Sequence, residues 1–547
     1  MEQHGVGLAS AHQVAPGRAP ERLLSRLGAN EDVLIATCDR LTAALAAKHR
    51  ITPAGEWLLD NLYLIEEQIR TARRHLPKGY SRELPVLAAG ASAGLPRVYD
   101  VALETIAHGD GRLDPESLGR FVAAYQTVTP LRLGELWAIP IMLRLALIEN
   151  LRRVAVGVAI GRRDRDLAVV WADALSEIAH QDPKSLILVI ADMARSNPPM
   201  TTPFVSELAR RLQGHGPALS LPLTWIEQQL AESGLSIEQL VRAGNQQQAA
   251  DQVSVGNSIG SLRRLATMDW RAFVETMSVV ERTLRSDPGA AYTGMDFASR
   301  DRYRHAVEEV AKASGLAEDA VAHQAIGLAR AGAHRHGDED RRAHVGYYLV
   351  GHGRSELERA TRAHLGPAAA LRRVTSRSPL PLYLGTIALT TLFVAAGLLA
   401  QARIDALPDW ALAPLAILVL VATGQLAVAL VNWLATLLAP PHPLPRMDFS
   451  AGIPPASRAL VVVPTMLTSQ HNVERLAEAL EVRFLANRDA HLHFGLLTDL
   501  GDAPEETLPS DVQLLKLAQE QILDLNARYA HGCGDRFFLF HRPRRWN

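Results

Sequence analysis

Two stretches without a single charged side chain limit this chain more than anything else in it. Residues 380–402 read LPLYLGTIALTTLFVAAGLLAQA, and residues 410–440 read WALAPLAILVLVATGQLAVALVNWLATLLAP. At about 1.5 Å per residue the first is a helix of roughly 35 Å, longer than the roughly 30 Å hydrocarbon core of a bilayer. Arg403, Asp405 and Asp409 separate the two runs. This pattern predicts a two-helix transmembrane hairpin, with a lipid bilayer as the partner of its apolar sides. Arg372, Arg373 and Arg377 precede it and Arg446 follows it, while the connector holds one Arg against two Asp. Positive flanks stay on the cytoplasmic side, so both large segments are expected in the cytosol. Trp410 and Trp433 lie near span ends, where amphipathic rings favour the interface.

The remainder of the 547 residues divides around that hairpin. Residues 1–20 lack the basic start and apolar centre of a secretory signal, and are expected to be disordered. Residues 21–367 read as a cytosolic all-α region, rich in alanine, leucine and arginine and poor in aromatics. Leu58, Leu62, Ile65 and Ile69 form one helical stripe, ended by Pro77-Lys78-Gly79. Asp114-Pro115 opens a helix as N-cap and first-turn proline, with Leu118, Phe121, Val122 and Tyr125 as its buried face. Thr129-Pro130 is expected to open the next, with a kink at Pro140, and Ser236 with Gln239 forms a capping box. A formal net charge of -1 gives no basic field for nucleic acid. Two cysteines, Cys38 and Cys533, exclude a disulfide framework or a four-cysteine zinc site.

Chemistry is scarce before the hairpin. Glu66 and Glu67 could pair as acid and base, but Glu66 stands four residues before Arg70 and reads as an ordinary surface ion pair. His334, His336 and His344, near Asp338 and Asp340, could collect a metal, yet their arginine-rich surroundings read as a solvated connection.

Residues 455–547 have a different grammar. ALVVVPTML (residues 459–467) is the continuous apolar run of a strand covered on both faces. A helix, a strand at residues 491–498, the turn Asp499-Leu500-Gly501-Asp502, a helix at residues 510–529 and a strand at residues 536–540 follow. The order β-α-β-α-β predicts a parallel, doubly wound sheet whose ligands bind beyond the carboxyl ends of its strands. Pro464, Thr465, Asp499, Asp502, His541, Arg542, Arg544 and Arg545 fall there. These residues suit a nucleotide-sugar pocket, and equally an Asp/Gly-rich turn beside a basic tail. Three strands and two helices, ending at Asn547, are expected to be the start of a larger domain.

Long strings carry a resemblance. EWLLDNLYLIEEQIR (residues 56–70), LPKGYSRELPVL (76–87), GNSIGSLRRLATMDWRAFVE (256–275), MDFASRDRYRHAVEE (295–309) and HVGYYLVGHGR (344–354) precede the hairpin. VVVPTMLTS (461–469), LLTDLGDAPEE (496–506) and FHRPRRWN (540–547) follow it. Over nearly its whole length the chain resembles the N-terminal part of the bacterial cyclic β-1,2-glucan synthases. The resemblance implies a mainly α N-terminal region, a transmembrane hairpin and an incomplete α/β segment of the A-type glycosyltransferase kind, in the bacterial inner membrane. It implies UDP-glucose as donor, glucan as product and a divalent metal, Mg or Mn. Pro464, Thr465 and Asp499 would frame the uracil and ribose, with Arg542, Arg544 and Arg545 toward the diphosphate. The family's acidic metal motif, catalytic acid and Gln-x-x-Arg-Trp motif are not in this sequence; Arg545-Trp546 lacks the Gln at the required spacing. The chain alone is therefore expected to be inactive. The contrasting expectation is a membrane-anchored helical scaffold without enzymatic activity.

Overall fold

The helix Leu133–Gln181, 49 residues long, is the axis on which the larger part of the chain is built. The computed structural model describes every residue except 16–20, 78, 214–218, 233, 365, 367–378, 405–406, 439–442, 530–533 and 546–547. Lys78, Arg372, Arg373, Arg377, Asp405, Cys533, Trp546 and Asn547 thus lie outside the described residues. The chain forms two units, Met1–Gly289 with Tyr303–Ala370, and Ala290–Arg302 with Leu371–Asn547.

In the first unit the elements described between strand-like bridges are helices, as the composition predicts. The half of the long helix up to Val158 is buried against helices Leu23–Ala46, Leu62–His75, Arg97–His108 and Ile237–Leu265, and helix Pro115–Gln126 joins the same core. Its later residues Ala168, Ala172 and Leu175 join a second core with Met193, Phe204, Leu208 and Ile226. Local signals account for several boundaries. The Asp114 carboxylate accepts from Ser117 N–H at 2.9 Å, and Leu118, Phe121, Val122 and Tyr125 are the four buried residues of that helix. Ser236 and Gln239 make both bonds of the capping box, at 3.2 and 3.1 Å.

Three local expectations need correction. The stripe from Leu58 to Ile69 is two helices, Pro53–Asp60 and Leu62–His75, broken at Asn61. The long helix starts at Leu133 rather than at Thr129-Pro130, because Glu135 caps Arg132 N–H at 2.9 Å and the Pro130 carbonyl is taken by Arg97 at 2.8 Å. Residues 1–20, expected to be disordered, contain the helix Glu2–Ala11. Its small residues Gly5 and Ala9 are buried, and a Cβ on Gly5 would fall 2.9 Å from the Phe121 carbonyl. What reads as low-complexity Gly and Ala is the close-approach face of a packed helix. His12 then bonds both the Tyr125 hydroxyl (2.8 Å) and Asp100 (3.0 Å).

In the second unit, helices Pro379–Ile404 and Asp409–Leu438 are both long and apolar enough to cross a membrane. Phe393 is 82% exposed and Trp410 79%, so the outward sides have no protein cover. Their mutual seam is made of the buried residues Ala395, Thr423, Ala427 and Val431, small side chains that let two backbones approach. Tyr383 donates to Asn432 across it at 2.6 Å. After the second helix the chain is clipped to residues 290–302: Met447 bridges Met295, and Arg446 N–H donates to the Ser299 hydroxyl at 2.8 Å.

A three-stranded parallel sheet ends the unit, with β1 (Ala459–Leu467), β2 (Leu492–Leu500) and β3 (Phe537–His541) in the order β1-β2-β3. Strands that neighbour in sequence order and cross over with one hand put both connecting helices on one face. Helices Gln470–Ala486 and Pro509–Tyr529 accordingly share one core with Val463, Phe494, Leu496, Phe537 and Leu539. The expectation of a doubly covered β1 is not met. Leu460, Val462, Met466, Leu497 and Phe540 project from the opposite face and are exposed. The continuous apolar run gives no alternation from which a one-sided cover could be read.

Candidate functional site

The register fixes which predicted residues share a face. Thr465 pairs with Thr498 and Met466 with Asp499. Side chains alternate along a strand, so Pro464 and Asp499 belong to the uncovered face, and Thr465, Thr498 and His541 to the helix-covered one. Pro464 is exposed, and as part of an edge strand its missing N–H is tolerated. Strand β2 runs to Leu500, so Asp499 stands within the strand rather than in the expected turn, which begins at Gly501. That places its carboxylate at the carboxyl end of the sheet on a fixed backbone.

Asp499 is held as an anion. Arg542 donates to its Oδ2, and Leu500 N–H donates to its Oδ1 at 2.9 Å. Together these hold its carboxyl below the usual carboxylate range, the Arg542 bond being the larger influence. Arg542 itself is largely exposed. Arg544 faces a different task. Its guanidinium donates to the Gly501 carbonyl (2.8 Å) and to Asp511 Oδ2 (2.9 Å), which also accepts Leu508 N–H (2.7 Å). It therefore ties the connection after β2 to the start of helix Pro509–Tyr529. Arg545 is exposed, with no polar partner among the described residues. Asp502 is exposed as well.

Thr498, buried beneath this end, was not distinguishable in the sequence. Its hydroxyl meets the Phe540 carbonyl at 3.1 Å and His541 Nδ1 at 3.0 Å, which joins the ends of β2 and β3. Only the pairing register reveals it. The described residues here do not suit a divalent metal. Both oxygens of Asp499 are engaged, and among the described residues no three His, Cys, Asp or Glu side chains gather.

Before the hairpin, the acidic and histidine side chains singled out in the sequence make local ion pairs and hydrogen bonds. Glu66 and Arg70 stand 3.7 Å apart and exposed, the surface pair the spacing predicts. His334 and His336 end the helix Glu318–His336, where His336 meets Arg342 at 2.7 Å. His344 points elsewhere, to Asp287 (2.6 Å) and the Tyr303 hydroxyl (3.2 Å). Asp287 also accepts Val345 N–H at 2.8 Å, so this trio fastens a backbone corner. Deeper still, Arg97 and Glu135 form a two-pronged pair at 2.6 and 2.7 Å, and Arg304 meets Glu281 at 2.6 Å. Burial alone would lower the Arg97 pKa; its bonds to Glu135 overcome that and raise it. Cys38 is buried, which pushes its thiol up to about 11 and leaves it inert.

No family model matches the chain. Over 536 residues it is 32% identical to cyclic beta-(1,2)-glucan synthase NdvB of Rhizobium meliloti (strain 1021). The match takes in 97% of this chain and 19% of that protein, so the chain spans about a fifth of its relative's length. The resemblance read from the quoted strings is thereby shown, and it extends across the helical unit, the hairpin and the sheet alike.

Proposed function

We propose that this chain is the membrane-anchored donor-side portion of a glucosyltransferase that builds β-1,2-glucan from UDP-glucose. The observation that carries the reading is the joint one of similarity and geometry. A chain alike to a cyclic glucan synthase over 97% of its length holds an ionised Asp499 at the carboxyl end of a parallel sheet, with Arg542 beside it. The carboxylate would accept hydrogen bonds from a ribose hydroxyl or the uracil N–H, against the Pro464 ring on the same face. A diphosphate would compete with Asp499 for the exposed Arg542 guanidinium, a charge-assisted exchange that costs little because Arg542 stays in water throughout. Arg544 would act through the loop it ties down rather than by touching donor. Glucosyl transfer further calls for a group that takes the acceptor proton. The family's catalytic acid and Gln-x-x-Arg-Trp motif are not in this sequence, so the 547-residue chain by itself is expected to be inactive.

The bilayer is proposed as the partner of the two apolar helices, whose outward sides otherwise meet water. Arg372, Arg373, Arg377 and Arg446 on the outer flanks support a cytosolic position for both large segments.

Titration of the purified chain in detergent with UDP tests the site. Weak saturable binding is expected, reduced at least about tenfold in Asp499→Ala, the scale of one charged hydrogen bond. Asp499 lies in no core, so the variant's unfolding temperature should stay within about 2 °C of the parent. UDP binding that survives Asp499→Ala unchanged overturns the placement.

A further inference from the structure

A polar recess lies within the helical unit, far from the sheet in sequence. It encloses about 280 Å3 between the middle of the long helix Leu133–Gln181, the helix Ile237–Leu265 and the first turns of Pro53–Asp60 and Thr202–Leu212. Glycines open it. A Cβ on Gly244 would fall 2.1 Å from Thr202, so the helices meet closely there. Gly157, further along, faces empty space and leaves the recess unfilled.

Its two ends differ in charge. At one end stands Arg165, beside Thr202, whose hydroxyl is committed to the Leu240 carbonyl at 3.1 Å. The carboxylates whose charge reaches Arg165 are already engaged: Glu207 by Arg210 and Arg211, Asp166 by Arg162. Arg165 makes no hydrogen bond or ion pair among the described residues, and burial and Arg162 both lower its pKa. A half-buried guanidinium without a direct partner can still take an anion. The N-terminal ends of two helices add positive partial charge to the same lining. At the other end are Arg153, turned back onto Asn150 at 3.0 Å, and Asp251, which accepts from Gln247 at 2.8 Å. Gln247 and Gln248 lie between the ends. Amides and a carboxylate suit hydroxyl groups, and the guanidinium end suits a phosphate.

We propose that this recess binds a small phosphorylated sugar or polyol, its phosphate on Arg165 and its hydroxyls on Gln247, Gln248 and Asp251. The volume sets the size class. At about 280 Å3 the recess sits at the lower edge of the roughly 300 to 1,000 Å3 range of ligand pockets, which favours a ligand of monosaccharide size. The recess and the proposed donor end share no residue, and neither reading depends on the other.

Calorimetric titration of the whole 547-residue chain in detergent, with glucose 6-phosphate, glucose and inorganic phosphate as probes, tests it. Glucose 6-phosphate should bind saturably, and more tightly than either of the others. Arg165→Gln should weaken it about tenfold, the worth of one charge-assisted contact. Gln248→Ala should weaken glucose 6-phosphate while leaving inorganic phosphate unchanged. Gly157→Leu, a better helix former whose side chain enters the recess, should abolish binding with helical content retained. No saturable binding of any probe overturns the proposal, as does binding indifferent to both Arg165→Gln and Gly157→Leu. A lipid headgroup shares the phosphate chemistry. Displacement of glucose 6-phosphate by phosphatidylglycerol vesicles would assign the recess to lipid and overturn the soluble ligand.

Discussion

One ion pair in the helical unit and one at the end of the terminal sheet treat charge in opposite ways. In the first, guanidinium and carboxylate meet in the dry interior: Arg97 and Glu135 are 5% and 0% exposed. In the second, Asp499 and Arg542 pair at the water's edge, with Arg542 77% exposed. A buried pair fixes how helices sit, because either partner alone would be an uncompensated charge in a low dielectric. An exposed pair fixes little and can be exchanged for a ligand. Burial, more than the residue types themselves, separates framework from site here.

The sharpest test of that contrast is Glu135→Ala. It leaves Arg97 without a carboxylate, with the Pro130 carbonyl and Tyr125 beside it, and should cost the helical unit about 3–5 kcal/mol in denaturant unfolding. Replacing both partners, Arg97→Met with Glu135→Leu, should recover most of that. A single variant as stable as the parent would erase the distinction between the two regions. Next in size is a matched pair on one strand. Leu496 faces the helices and is 2% exposed, and Leu497 faces the open side at 43%. Leu496→Ala should cost about 2–4 kcal/mol and Leu497→Ala at most about 0.5 kcal/mol. Equal losses would mean that both faces are covered.

The smallest effect concerns pH. Glu318 accepts Leu133 N–H at 2.8 Å at the head of the long helix, and burial pushes its carboxyl up to about 7. Its folded value lies above the unfolded one, so the native state holds the proton longer. Stability therefore falls as pH rises from about 4.5 to 7. Glu318→Gln keeps an acceptor without the charge. It should flatten that decline and gain on the order of 1 kcal/mol over the parent at pH 8, allowing for solvent screening. Parallel pH profiles for parent and variant would show Glu318 to be solvated like any surface acid.

Local signals made much of the fold legible. The uncharged runs gave both apolar helices, and β1 was bounded to the residue by its β-branched string. Asp114 and Ser236 marked their helix starts because a cap acts within one turn. What escaped was non-local. Glu2–Ala11 packs on a helix more than a hundred residues away, and Arg97 meets Glu135 across 38 positions. Strand order, hence the one-sided cover of the sheet, is likewise a property of assembly. At the candidate site, Asp499 and Arg542 were readable as types. Their pairing, the commitment of Arg544 to Asp511 and the position of Thr498 beneath them needed the register.

The 49-residue helix Leu133–Gln181 would be roughly 74 Å from tip to tip, and both helical cores hang on it. Its internal proline, Pro140, falls within two turns of the start, so the shaft beyond keeps an unbroken ladder. Such a shaft works as a lever. A small tilt imposed at the Glu318-capped head would be magnified at the far core, and torque applied to one lobe would reach the other along a single continuous helix.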